Sequence, residues 1–91
     1  MRVEFDPAKD HINRAKHGIA LEDAARFDWD TALEREDDRF DYGESRFVAI
    51  GRIDAGLYIM VFTEGSDDDA VRVVSLRPTE KYEMWYYYDQ I

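Results

Sequence analysis

Phe5-Asp6-Pro7-Ala8-Lys9, continuing to Asn13-Arg14-Ala15-Lys16-His17-Gly18, begins like a helix cap and ends like a helix stop. Asp6 suits the N-cap, and Pro7 suits the first helical position, where the N–H it lacks would have no intrahelical partner. Gly18 suits the residue just past the helix, where φ turns positive, and Lys16 and His17 stand where the helix dipole favours cations. Ala8, Ile12, Ala15 and Ile19 recur at helical spacing, which predicts one narrow apolar stripe. At the other end of the chain, Val71-Arg72-Val73-Val74-Ser75-Leu76-Arg77-Pro78 reads as a buried strand whose only charges are two arginines. An arginine in such a strand needs an anion, a carboxylate or a hydrogen-bond network, because an unpaired buried charge is costly.

Working outward, residues 3–5 fit a short edge strand, and a second helix fits residues 21–27, burying Leu21, Ala24 and Ala25. Four strands follow in meander order: residues 31–36, 46–52, 57–64 and 71–76. Asp54-Ala55-Gly56 and residues 65–69 supply turn chemistry between the last three. Thr79 is placed to cap a closing helix over residues 80–89, whose Tyr82, Trp85 and Tyr86 are expected to lie on the sheet. The reading is an α+β fold with two N-terminal helices, a four-stranded antiparallel sheet and a C-terminal helix. No repeat or linker divides residues 1–91, which read as a single domain.

Thirteen aromatics and a 45% hydrophobic fraction supply a core despite 36% charged residues, which argues against disorder. Without cysteine there is neither a disulfide framework nor a thiolate zinc site. No signal peptide is evident and no apolar run is long enough to span a membrane, so a cytoplasmic setting fits. The net charge of −9 argues against general attraction to nucleic acid. Residues 22–44 hold ten acidic side chains against three basic ones. They read either as a solvated edge or as a docking surface for a basic partner. The tyrosines and tryptophan of the closing helix equally suit a core or a contact with a partner.

The common catalytic signatures are absent: no phosphate-binding glycine loop, no H-E-x-x-H, no nucleophile elbow. His11 and His17, six apart, point to different helix faces, so no metal site is expected. Arg77, before a proline at a strand end, is held in extended backbone and is a good mount for a phosphate-binding fork. Arg72 reads as the partner of a sheet carboxylate such as Glu64, or as a second phosphate cation. His11 reads as a solvated helix residue. Basic elements at both ends of a small chain are what an RNA-cleaving surface needs.

The same residues carry a resemblance. Phe5-Asp6 and Lys9, then Asn13 with Lys16-His17-Gly18, match the W/F-D-x-x-K and N-x-x-K-H-G patterns of the BrnT family of type II toxin–antitoxin toxins. Ala24, Phe27 and Asp28, then Arg46 with Ile50-Gly51-Arg52, then Ser75, Arg77 and Pro78, and finally Glu83, continue the match over nearly the whole chain. The resemblance implies a RelE-like fold and a ribonuclease that inhibits translation. It also implies silencing by a BrnA-type antitoxin with a ribbon-helix-helix dimer that binds operator DNA, two toxins with two antitoxins. No cofactor or membrane contact is implied.

Cleavage of RNA without a metal proceeds by attack of a 2′-OH on the adjacent phosphate, and needs a base, cations and an acid. Arg77, His17, Lys16 and Arg72 are the expected catalytic residues, and Lys9, Arg46 and Arg52 the expected RNA-binding ones. The base is not assigned from sequence. Two rivals are a toxin-like binding module without catalysis and an acidic mimic of nucleic acid. Convergence of Lys16, His17 and Arg77 in one groove free of carboxylates would separate them from the enzyme.

Overall fold

Three strongly apolar segments between residues 46 and 78 build the centre of a sheet. The computed structural model describes residues 1–38 and 43–91. Its strands are β1 (Arg2–Glu4), β2 (Leu33–Asp37), β3 (Arg46–Ile53), β4 (Gly56–Glu64) and β5 (Ala70–Pro78). They lie in the order β1-β5-β4-β3-β2. β2 to β5 form the expected antiparallel meander. The expectation of a four-stranded antiparallel sheet is corrected by β1, which pairs in parallel with β5 and makes the sheet five-stranded and mixed. Three residues carry too little periodicity to announce a partner. Side chains hold this one in place: Arg2 donates to Asp67 at 2.6 Å, and Glu4 accepts from the Ser66 N–H at 2.8 Å and from its hydroxyl.

One sheet face packs the core. Ala49 and Ile53 of β3, Met60 and Phe62 of β4, and Val71, Val73 and Leu76 of β5 are buried there with Leu21, Ala24 and Phe27. The register shift between Val61 and Phe62 skips Val74, so Val73 and Leu76, three apart, both face inward. Gly51 is needed at its place: the Phe27 ring lies over it where a Cβ would clash.

Of the two expected N-terminal helices, the first is α1 (Pro7–His17), and the second is a short 3₁₀ helix, Leu21–Arg26. The Asp6 side chain accepts from the Ala8 N–H at 2.9 Å, and Gly18 closes α1 at φ 73°. Of the predicted apolar stripe only Ile19, just beyond the helix, packs against the core. Ile12 is 62% exposed, Ala8 and Ala15 are exposed too, and the inward face is Asp10, Asn13 and His17. The reason is the strand edge that α1 lies against. β1 covers β5 only from Ala70 to Arg72, and Asn13 takes over the pairing role at Leu76, accepting from its N–H at 3.1 Å and donating to its carbonyl at 2.8 Å. A polar helix face wins because it satisfies backbone groups that an apolar one would strand. Asp10 accepts from the Leu21 N–H at 2.8 Å in the same way.

The closing helix α2 (Lys81–Gln90) also turns a different face inward from the one expected. Tyr82, Trp85 and Tyr86 are exposed, while Tyr87 is fully buried and its hydroxyl donates to the Thr31 carbonyl at 2.9 Å. Glu80, not Thr79, caps the helix in a capping box with Glu83. Thr79 is tied instead to Leu57, donating to its carbonyl from both N–H (3.1 Å) and hydroxyl (3.3 Å). Among the described residues no helix is long and apolar enough to cross a membrane.

Candidate functional site

Strand alternation sorts the charges as well as the apolar residues. The sheet face away from the core cluster carries Arg35, Arg46, Arg52, Arg72 and Arg77 from β2 to β5, against one strand carboxylate, Asp37. β1 adds Arg2 and Glu4 to this face, which cancel. The acidic residues Glu34, Glu36 and Glu64 project to the other side. A chain of net charge −9 thereby presents one locally basic surface.

Arg77 stands where that face meets α2. Its two terminal nitrogens each donate to Glu83 at 2.8 Å, and one of them also reaches the Pro78 carbonyl at 3.2 Å. Glu83 in turn accepts from the Glu80 N–H at 2.7 Å. The Arg77 hydrogen bonds, supported by the Glu80 N–H, outweigh burial and hold the Glu83 carboxyl below the usual carboxylate range. A guanidinium has five N–H donors, and three are used here. The Nε–H and the second hydrogen on one terminal nitrogen remain, and these two form the side-on fork that fits a phosphate.

The Asn13 anchor fixes α1 beside Leu76, one residue from Arg77, so that His17 at its end feels the Arg77 charge, with the exposed Lys16 next to it. Burial first, then the positive charges of Lys16 and Arg77, lower the His17 imidazole from its ordinary pKa. The neutral ring is therefore favoured, which is the form that accepts a proton.

Between α2 and the sheet runs an open groove of about 610 Å³. Leu33, Val48, Ile50, Ile59 and Val61 floor it, Tyr82 and Tyr86 wall it, and Arg77 and Arg35 lie at its borders. Among the described residues no cluster of three or more His, Asp or Glu side chains is arranged to hold a metal ion.

The family model described as the ribonuclease toxin, BrnT, of type II toxin–antitoxin systems matches residues 5–83. The chain belongs to the BrnT family. It is also similar in structure to the Brucella abortus ribonuclease toxin BrnT, solved as a crystal structure, with a TM-score of 0.68 and 24% identity. That likeness covers 89% of this chain and 99% of the Brucella one, and shows the shared fold. No curated protein sequence matches.

The BrnT-like motif residues fall into two groups in space. His17 feels the charges of both Lys16 and Arg77, and Glu83 pairs with Arg77, so this corner is not free of carboxylates. Arg72, Arg46 and Arg52 share the basic face but lie further along it. Arg72 sits opposite Thr63 and is exposed. Its expected pairing with Glu64 is corrected, since alternation sends the two to opposite faces. Arg46 lies in register with the buried Asp37. Arg52 donates to the Tyr88 hydroxyl at 3.4 Å and packs 5.8 Å from the centre of its ring. Lys9 does not join them. It is exposed on α1, seven residues and about 10 Å before Lys16 at 1.5 Å per residue.

Sequence reasoning missed Arg35, Tyr82, Tyr86 and the task of Glu83. The signals were present: Arg35 lies two residues from Leu33 and so shares its strand face, and Tyr82 and Tyr86 are four apart, one above the other on a helix face. The acidic stretch forms no single stripe among the described residues. Asp23 pairs with Arg26 at 2.7 Å and Asp28 accepts from the Asp30 N–H and the Thr31 hydroxyl. Glu34 and Glu36 leave one sheet face, and Asp37 is buried on the other. Asp41 of that stretch lies outside the described residues.

Proposed function

We propose that this member of the BrnT family is a metal-independent endoribonuclease acting at the corner formed by Arg77, Lys16 and His17. The observation that carries this reading is the sorting of five arginines onto one sheet face, with a neutral-favouring histidine at its corner. Neutral His17 takes the proton of the attacking 2′-OH. The free side-on fork of Arg77 binds the phosphate and stabilises the charge that develops on it, while Lys16 offers a proton to the departing 5′-oxygen. Arg72, Arg46 and Arg52 extend the phosphate track along the strands, and Lys9 adds a more distant cation.

The family's toxin–antitoxin setting supports inhibition of translation as the outcome and a BrnA-type antitoxin as the silencer. Two toxins would join two antitoxins whose ribbon-helix-helix dimer binds operator DNA. The outward surface of α2, where Trp85 is 66% exposed beside Met84 and Tyr88, offers such a partner apolar area. A cytoplasmic site of action fits RNA as substrate.

The test is incubation of the purified chain with RNA in EDTA. Cleavage that leaves a 2′,3′-cyclic phosphate, and that is lost in His17→Ala and Arg77→Ala, is expected. A second reading, a catalytically inactive binding module, is favoured by the Glu83 carboxylate on Arg77. Uncleaved RNA together with tight antitoxin binding would establish it.

A further inference from the structure

The groove between α2 and the sheet has features that cleavage at the corner does not require. Its floor is apolar over three strands, while the wall on α2 is made of two tyrosines left open to solvent, Tyr82 at 67% and Tyr86 at 54% exposure. Folding normally turns such rings inward, and α2 buries Tyr87 instead. Phenol rings standing beside an apolar floor lack contact partners on their open faces. The charges at the borders point to what fills the space. Arg77 on β5 and Arg35 on β2 are three interstrand spacings apart and two residues out of register, about 16 Å in all at about 4.8 Å per strand and about 3.4 Å per residue. A base with a phosphate on either side of it offers each arginine its own phosphate. Of the two acidic residues lining the groove, Glu83 is occupied by Arg77 and the Glu80 N–H, and Glu34 sends its carboxylate to the other face of β2.

We infer that this groove receives one unstacked base of a single-stranded RNA, held against Tyr82 and Tyr86, with its flanking phosphates on Arg77 and Arg35. This rests on the reading of the chain as a ribonuclease and names the form its substrate takes. A flat π-surface with a polar rim matches the groove: the rings and the aliphatic floor cover the base faces, and the open side leaves the rim in water. Stacking of a base on an aromatic side chain contributes about 1–3 kcal/mol and tolerates any base. The volume of about 610 Å³ falls within the range of about 300–1,000 Å³ usual for small-molecule-sized sites. Paired RNA cannot enter, since its bases are stacked on each other and their faces are hidden. The groove therefore selects loops, bulges and single strands, and lodging a base there presents the adjoining phosphate to Arg77.

The experiment compares binding of the full chain to two probes of equal length and charge. One is a 2′-O-methyl oligoribonucleotide, which lacks the attacking hydroxyl, and the other is its wholly abasic counterpart. The base-bearing probe should bind at least about tenfold more tightly, the factor that corresponds to about 1.4 kcal/mol. Tyr82→Ala and Tyr86→Ala should each remove most of that advantage without changing affinity for the abasic probe, and Tyr86→Phe should keep it. Equal affinity for the two probes overturns the inference, as does an equal loss on both in the alanine variants. A base advantage untouched by these substitutions overturns it too, as does an antitoxin-only groove that binds neither probe. Base-dependent binding without cleavage of ordinary RNA would leave this inference standing and remove the proposed activity. Cleavage with unchanged kcat and KM in both alanine variants would do the reverse.

Discussion

Asn13 serves Leu76 as a neighbouring strand would, accepting one hydrogen bond from its N–H and donating one to its carbonyl, at 3.1 and 2.8 Å. It also donates to the Ile19 carbonyl at 3.0 Å, so one carboxamide ties α1, the chain after it and β5 together. Asn13→Ala leaves both Leu76 backbone groups without that partner in a buried setting. Each orphaned group costs about 1–3 kcal/mol. We expect a loss of about 2–4 kcal/mol, seen as a lower urea midpoint with an unchanged slope. A variant as stable as the parent would mean that water replaces the amide.

Gly51 tests the core in a different way. A methyl group there meets the Phe27 ring, whose edge also packs on Trp29 with centroids 4.9 Å apart. Trp29 in turn meets Phe62 at 5.2 Å, so the aromatic set cannot shift one member freely. Gly51→Ala should destabilise by about 1–3 kcal/mol, the usual range for overpacking. Gly51→Ala combined with Phe27→Leu should recover part of the loss in thermal unfolding, which a purely backbone effect would not allow.

Arg77 is one half of a bidentate pair and, in the proposed reaction, the phosphate fork, so its removal should show two effects of unequal size. Stability should fall by only about 1 kcal/mol, because the guanidinium is one-third exposed and solvent weakens the pair. The cleavage rate should fall about 10²–10³-fold, as is usual when a donor to developing charge is removed. Arg77→Lys should rescue little, since an ammonium cannot hold two carboxylate oxygens and a phosphate at once. A drop in activity no larger than the loss of folded protein would show that the residue is structural.

Acid should act on this corner in two separate windows. The Glu83 carboxyl is lowered from 4.5, so the unfolded chain binds the proton first as pH falls. Its stabilising contribution is full above pH 4.5 and is lost as pH drops through the folded value. Glu83→Gln should remove that part of the pH dependence. His17 is likewise lowered, from 6.5, so stability declines below that pH as the unfolded chain takes up the proton. In kcat/KM, the acid limb should fall below pH 6.5, and Lys16→Gln should move it upward by removing a neighbouring positive charge. A limb that stays in place in Lys16→Gln would exclude His17 as the base.

Much of the fold was legible because each element announces itself locally. Asp6, Pro7 and Gly18 mark the ends of α1 through backbone needs that hold in any context, and β3, β4 and β5 are long enough for their alternation to be read. The parallel partner of Arg2–Glu4 was not legible, since three residues in parallel pairing depend on where a distant strand happens to end. The inward faces of the two helices were misread for a related reason. Periodicity shows which residues are apolar, but not whether the surface opposite is apolar sheet or unpaired backbone.

The candidate site divides along the same line. Sequence by itself placed Lys16 and His17 at a helix C-terminus and Arg77 at a strand end before proline. It also determined that arginines alternate with apolar residues along the strands, because side chains of a strand must point to opposite sides in turn. Only the tertiary structure decided that β1 stops at Glu4, leaving the Leu76 edge for Asn13 and bringing α1 to Arg77. Only there does Glu83 meet Arg77, and only there do Tyr82 and Tyr86 become the walls of a groove. Those relations link residues up to 63 positions apart, and no local preference encodes which surface will be left unpaired when the sheet closes.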